Sequence, residues 1–252
     1  MGLVFRGHRA DGGEVVAVKI LRPELSRDEI YRQRFQREVR VASKVEHPNL
    51  VRIIDASRDG GLEYIVVEYF AGGTLDDLLA RDEPIPVEDI VRFSRDIAGA
   101  LDVLHQEGLV HRDIKPSNVM LTETRGAALT DFGLASGRAY TVLTRPGQVL
   151  GTLDYIAPEV ISGDRAGPAS DLYSFACVVY ELLVGAAPFA GKSIYEAAVA
   201  HLEEMPPRPE TIRSGLSTDL GTVVLYGLAK KPGERPRTAT ALARLLESAA
   251  AG

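Results

Sequence analysis

Apolar residues come first in short unbroken blocks and later at helical spacing. EVVAVKIL, residues 14–21, is β-branched and apolar, which predicts a strand. Over 24–44, Tyr31, Phe35, Val39 and Ala42 recur at steps of four and three, one stripe on a helix. His47-Pro48-Asn49 breaks that helix, and VRIID and EYIVVEYF follow as two more strands. Ala71-Gly72-Gly73 reads as a flexible joint. Beyond it the spacing predicts helices over 74–80, 87–107, 170–185, 193–204, 217–229 and 238–249, with short strands around 119–121 and 127–130. Strands first and helices afterwards imply an α+β chain of two lobes, 1–70 and 71–252. No repeat is present, and MPPRPE, residues 205–210, is a proline-rich loop too short to serve as an SH3-type ligand.

Two charges fall inside apolar patterns. Glu38 lies within a turn of Phe35 and Ala42, on the buried side of the stripe, where a carboxylate needs a cation. Lys19 sits among the apolar residues of VVAVKIL and needs an anion; a solubilising edge lysine fits poorly there.

The remaining composition excludes more than it selects. The 252 residues suffice for a substantial core, and the net charge of −6 provides no global basic field for nucleic acid. The arginines at 22, 27, 32, 34, 37 and 40 share their helix with four acids, so a solvated face is the simpler reading. The lone Cys177, within SFACVVYELLV, reads as a small buried hydrophobe in a reducing compartment. No secretory leader and no long apolar run is visible, so the chain is expected to be cytoplasmic, although a longer parent could be membrane-anchored.

The densest polar stretch is VHRDIKPSNVMLTETRGAALTDFG. His111-Arg112-Asp113, Lys115, Asn118 and Asp131-Phe132-Gly133 have the order and spacing of protein-kinase catalytic and metal-binding loops. Val16-Ala17-Val18-Lys19 lies upstream and Ala157-Pro158-Glu159 downstream, with HPNLVRIID, GGTLDDLL, GTLDYIAPE and KPGERP in matching order. The whole chain thus resembles the eukaryotic-like protein kinases, most of all bacterial Ser/Thr kinases of the Hanks type. The resemblance implies the two-lobed kinase fold, with an antiparallel sheet plus one helix before a mostly helical C-lobe, and with ATP and Mg²⁺ (Mn²⁺ could substitute) in the cleft between.

It also implies roles. Lys19 would bind the α/β-phosphates and pair with Glu38; Asn118 and Asp131 would hold the metal; Asp113 would be the base and Lys115 would contact the transferred phosphate. Adenine would stack between Val4 and Ala17 on one side and Met120 on the other, against Val67, with hydrogen bonds to backbone groups of Glu68 and Phe70. Glu159 and Arg235 would form a buried ion pair. Asp171 would cap its helix or brace the catalytic loop. Ala176 stands where the family has glycine, so a small packing adjustment is expected. His105 and His111 read as satisfied core histidines. In the segment from Asp131 to Glu159, Thr144 and Thr141 are the phosphorylation candidates, and Thr152 agrees with Ser/Thr specificity. A phosphate on this loop would pair with Arg112.

Gly2-Leu3-Val4 reads as the last G-x-V of the family's glycine-rich loop, so the first strand and two glycines are expected upstream of Met1. On that reading LVFRGHR is an open, association-prone sheet edge, and the form starting at Met1 is a poor kinase. The leading function is a protein Ser/Thr kinase that acts on proteins and on itself, with homodimerisation a further option. A catalytically weak kinase-fold binding module is the alternative, and a small-molecule phosphotransferase is a third, disfavoured by the docking segment GTLDYIAPE.

Overall fold

The structure, a computed structural model, describes residues 3–10, 12–21, 29–122, 126–132 and 153–252, with only the backbone of 29–32, 34 and 35. A four-stranded antiparallel sheet comes first, built from β1 (Leu3–His8), β2 (Val15–Ile20), β3 (Ile53–Asp59) and β4 (Leu62–Glu68) in the order β1-β2-β4-β3. Its register sets Val4 opposite Lys19 and Ala17 opposite Val67. β1 is an edge, and Leu3, Val4 and Phe5 on it are at least half exposed. Helix α1 (Glu29–Ala42) follows β2 and buries Val39 and Ala42.

VRIID divides between two partners. Only its later residues enter β3. Val51 N–H instead donates to Leu129 O at 2.8 Å, and Leu129 N–H donates to Asn49 O at 2.8 Å. Residues 49–51 are thereby fastened to the hairpin of β5 (Val119–Leu121) and β6 (Ala127–Leu129), which carries the polar cluster at both its ends. The glycine joint is tight, not loose. A Cβ on Gly72 would collide with the Leu121 carbonyl, and Leu121 N–H donates to Gly73 O at 2.9 Å. Gly73 takes φ +76°, which favours glycine. Directly after it, Thr74 and Asp77 close a capping box on α2 (Leu75–Leu79).

The helical part comprises α3 (Val87–Gln106), α4 (Pro158–Ile161), α5 (Pro168–Val184), α6 (Ile194–Glu203), α7 (Pro209–Ile212), α8 (Thr218–Gly227) and α9 (Ala239–Ala251). MPPRPE, expected to be loop throughout, runs into α7 because Pro209 occupies its first turn, where a missing N–H costs nothing. α5 is apolar on nearly all sides and buries Tyr173, Phe175, Ala176, Cys177 and Tyr180. The adjustment expected at Ala176 lies on α8: a Cβ added to Gly227 would come within 2.7 Å of Ala176 Cβ. Asp102 on α3 accepts from Ala239 N–H at 2.9 Å and Thr240 N–H at 3.0 Å, satisfying two free amides at the start of α9. Among the described residues no helix is long and apolar enough to cross a membrane.

One acid is embedded in α5. Glu181 Oε2 accepts from the Tyr155 hydroxyl at 2.6 Å. Burial pushes its carboxyl up to about 7, the Tyr155 bond opposes this, and Asp76 and Asp154 reinforce it. A carboxyl raised in the folded state contributes fully below its unfolded pKa and loses that contribution as pH rises through the folded value. Glu181→Gln, which retains an acceptor for Tyr155, is therefore expected to exceed the parent in stability at pH 8 by roughly 2–3 kcal/mol. The advantage should vanish at pH 4.5 or below. Urea unfolding at pH 4.5 and 8 measures both; an equal difference at the two pH values refutes the assignment.

Candidate active site

Residues 111–118 leave α3 and enter β5, and their backbone is anchored to α5. Asp171, almost wholly buried, accepts from His111 N–H at 2.7 Å through Oδ2 and from Arg112 N–H at 2.8 Å through Oδ1; His105 Nε2 also bonds Oδ2 at 2.8 Å. Of the two roles considered for Asp171, the geometry matches the brace. The helix begins at Pro168, and the N–H of its cap residue Gly167 goes to Ser170 Oγ at 3.2 Å. The brace holds Arg112 at φ +69°, a left-handed conformation that is uncommon for residues with a side chain and concentrated at functional sites.

This turn aims Asp113 at Lys115 and Asn118. Lys115 Nζ donates to both carboxylate oxygens, at 3.0 and 2.9 Å. Asn118 Nδ2 donates to Asp113 O at 2.7 Å and to Oδ2 at 2.9 Å, which directs its carboxamide oxygen elsewhere. His111 is fully buried. Burial lowers its pKa against the opposing pull of Asp171, Asp113 and Asp131, so it is neutral, and its proximity to all three marks how closely the acids converge. Its Nδ1 accepts from Asp113 N–H at 3.3 Å, and the Thr130 backbone lies against the same ring and favours its protonated form without reversing the shift.

Lys19 and Asp131, 112 residues apart, meet as an ion pair of 2.5 Å, and Lys19 Nζ also donates to Thr130 Oγ1 at 3.1 Å. Asp131 has φ +65°. Here the structure departs from the expected pairing of Lys19 with Glu38. Glu38 is 22% exposed and binds Arg112 Nη1 at 3.2 Å. The reason is electrostatic: each half-buried charge takes an opposite charge within reach, and Asp131 and Arg112 fill those places. Thr130 and the Arg112 side chain were not foreseen as partners. The need of Glu38 for a cation was visible, but not which cation.

Ala17, Phe70 and Met120 pack around buried Val67, Val51 and Ala128. Val4, at 59% exposure, stands outside that cluster on β1. Glu68 N–H is committed to Arg52 O at 3.0 Å, so its carbonyl is the backbone group left for a base. Further away, Arg235 and Glu159 form a two-pronged ion pair, both contacts 2.8 Å. Gly2, Gly133, Thr141, Thr144 and Thr152 lie outside the described residues.

A lysine on the sheet is thus held against an acid after β6, beside an Asp–Lys–Asn cluster braced from a buried helix. The protein kinase domain model matches residues 1–245. The chain belongs to the protein kinase family. It is 41% identical over 229 residues to the serine/threonine-protein kinase PknB of Mycobacterium leprae, covering 89% of this chain and 37% of that protein. It is 37% identical over 243 residues to the serine/threonine-protein kinase PknH of Mycobacterium bovis, covering 96% of this chain and 41% of the relative. The chain thus spans well under half the length of these relatives. The crystal structure of the M. tuberculosis PknI kinase domain superimposes with a TM-score of 0.80 at 30% identity, covering all of this chain and 92% of that one. The protein-kinase fold, with its antiparallel sheet and mostly helical second part, follows from this.

Proposed function

We propose that the chain is a serine/threonine-protein kinase that transfers the γ-phosphate of ATP to hydroxyls of protein substrates and of itself, across a cleft between lobes 1–70 and 71–252. The contact of Lys19 with Asp131 carries this reading, because it brings the one lysine of β2 to the acid that follows β6. Phosphoryl transfer requires mainly positioning and charge neutralisation. The residues fit a metal–nucleotide: among the described residues no three His, Cys, Asp or Glu side chains form a cage, and one carboxylate with one carboxamide suits a Mg²⁺ that shares its ligands with phosphate. Asp131 and Asn118 would hold that ion, with Ala17, Val67, Met120 and the backbone of Glu68 and Phe70 around the base; bound there, the metal neutralises charge on the transferred group. Asp113 orients the acceptor hydroxyl and takes its proton. Lys115, held on Asp113, stands ready to offset phosphate charge.

The observed ion pairs describe a resting arrangement. Productive kinase geometry requires the Lys19–Glu38 pair, yet Arg112 holds Glu38 and Asp131 holds Lys19. A phosphate on Thr144, or on Thr141, would compete with Glu38 for Arg112 and release Glu38 toward Lys19. The same pairs favour the second reading, a kinase-fold module that acts by binding. Incubation with radiolabelled Mg-ATP and a protein acceptor, followed by mass spectrometry, separates the two. We expect label on Ser or Thr of the acceptor, phosphate on Thr144 or Thr141, and a rate at least tenfold lower in Thr144→Ala. An active enzyme unphosphorylated at both threonines refutes the control scheme. Neither transfer nor a nucleotide-dependent thermal shift leaves the binding module.

A further inference from the structure

Lys19 has a second partner that the proposed chemistry leaves unused. Its Nζ donates to the Thr130 hydroxyl at 3.1 Å, next to the Asp131 carboxylate. Thr130 follows β6 directly and is 4% exposed. Its main chain is fixed from several directions. Its N–H donates to Asn118 O at 3.0 Å, and the N–H of Leu129 before it donates to Asn49 O at 2.8 Å. Its backbone also lies against the buried His111 ring. Branching at Cβ restricts the side chain to few rotamers, so a fixed backbone gives the hydroxyl a fixed place. Lys19 reaches it from β2, where the register sets it opposite Ile65 of β4, itself buried.

Asp131 cannot serve Lys19 and a metal ion equally. Once its carboxylate ligates Mg²⁺, an ammonium on the same carboxylate faces a second cation and is repelled. A hydroxyl is a neutral acceptor, and the Thr130 oxygen lies outside that competition. We infer that Thr130 is a positioning residue for Lys19: its hydroxyl keeps the ammonium in place when the Asp131 carboxylate is given over to the metal, so that Lys19 stays aimed at phosphate. This rests on the kinase reading above and adds to it a residue that acts through Lys19. It also makes the value of the hydroxyl depend on metal. Without metal, Asp131 holds Lys19 as observed, and loss of the hydroxyl changes little. With metal, the hydroxyl is the partner left to Lys19 at the end of β6.

The test is calorimetric binding of ADP, with Mg²⁺ and with EDTA. Thr130→Val keeps the volume and the branching but removes the acceptor. We expect its Kd for Mg-ADP to rise about tenfold, as for loss of a hydrogen bond from a charged donor, and its Kd for ADP in EDTA to change less than about twofold. Thr130→Ser, which restores the hydroxyl, should restore parental Mg-ADP binding. In Lys19→Ala, adding Thr130→Val should weaken binding no further, because the hydroxyl then has no ammonium to hold. Melting without ligand checks that each variant is folded; Thr130→Ala, smaller and equally without an acceptor, gives the same comparison if valine lowers the melting temperature. Equal losses with and without metal, or a loss that persists in the Lys19→Ala background, make Thr130 a packing residue and overturn the inference. Parental Mg-ADP affinity in Thr130→Val overturns it alone, whereas a parent that binds no nucleotide overturns the kinase reading together with it.

Discussion

Asp113→Asn is expected to lower phosphoryl transfer a hundredfold or more while the chain remains folded. A hundredfold corresponds to about 2.7 kcal/mol of transition-state stabilisation, a modest demand on the residue proposed as the base. The carboxamide keeps the shape of the carboxylate but has one acceptor oxygen and almost no basicity. Folding should survive because the loop is anchored by backbone bonds that the substitution leaves alone: His111 and Arg112 N–H to Asp171, and Asn118 Nδ2 to Asp113 O. Lys19→Ala should also abolish transfer, but less cleanly. It strips the cation from Asp131, whose side chain is 8% exposed, and so adds the cost of a nearly buried, unpaired acid. Initial rates with matched circular-dichroism spectra decide the matter. Near-parental turnover in Asp113→Asn, measured against a form with demonstrable activity, overturns the assignment.

Arg235→Met is expected to destabilise the chain by roughly 3–5 kcal/mol, the usual cost of removing one partner from a buried pair. For a chain of this size that is a fall in Tm of roughly 6–20 °C. The arginine side chain is fully buried and does more than bind Glu159. It donates to Ala169 O at 2.7 Å, Ala229 O at 2.8 Å and Lys230 O at 3.0 Å, and its guanidinium lies 4.9 Å from the centre of the Tyr173 ring. Methionine fills the volume but removes the guanidinium from three carbonyls and from the Glu159 carboxylate, which keeps the Ser170 hydroxyl at 2.8 Å. Burial alone would raise the Glu159 carboxyl, but hydrogen bonds from Arg235 and Ser170 outweigh it and the net shift is downward. A carboxyl lowered in this way stabilises the fold above its unfolded pKa, and that contribution is lost as pH falls through the folded value. The deficit of Arg235→Met should therefore shrink in acid. Adding Glu159→Gln to it should restore part of the loss at pH 7. A Tm within 2 °C of the parent would contradict this account.

Local and spaced patterns were readable in the sequence because they depend on few residues. The period of 87–107 and the apolar run of 170–185 located α3 and α5 to within three residues, since one buried face fixes each helix. The loops around Asp113 and Asp131 were legible through the resemblance of their motifs to the kinase family, and the short β5–β6 hairpin does bring the two stretches together. Partner choice was not readable. Glu38 needs a cation, but whether that is Lys19 or Arg112 depends on where α1 settles against the sheet, which no local pattern encodes. The same holds for VRIID: its composition says strand, while its division between β3 and the β5–β6 hairpin is decided by the tertiary position of Leu129. The brace formed by Asp171 was one of two alternatives, since a carboxylate near a helix start reads equally well as a cap. The bonds that Asp171 accepts from His111 and Arg112 N–H, together with the helix start at Pro168, separate them.

The contact of α5 with α8 has a consequence for how this chain can vary. Two methyl carbons cannot approach to 2.7 Å, so positions 176 and 227 together accommodate a single methyl, and here Ala176 holds it. Neither site has a substitution tolerance of its own. Alanine at 227 becomes admissible only once 176 gives its methyl up and Leu242, whose Cδ2 would stand 3.0 Å away, shifts its side chain, and glycine at both would open a void in the most buried layer of the molecule. The two positions form one unit of inheritance, and sequence drift should carry them through exchange, not independent change.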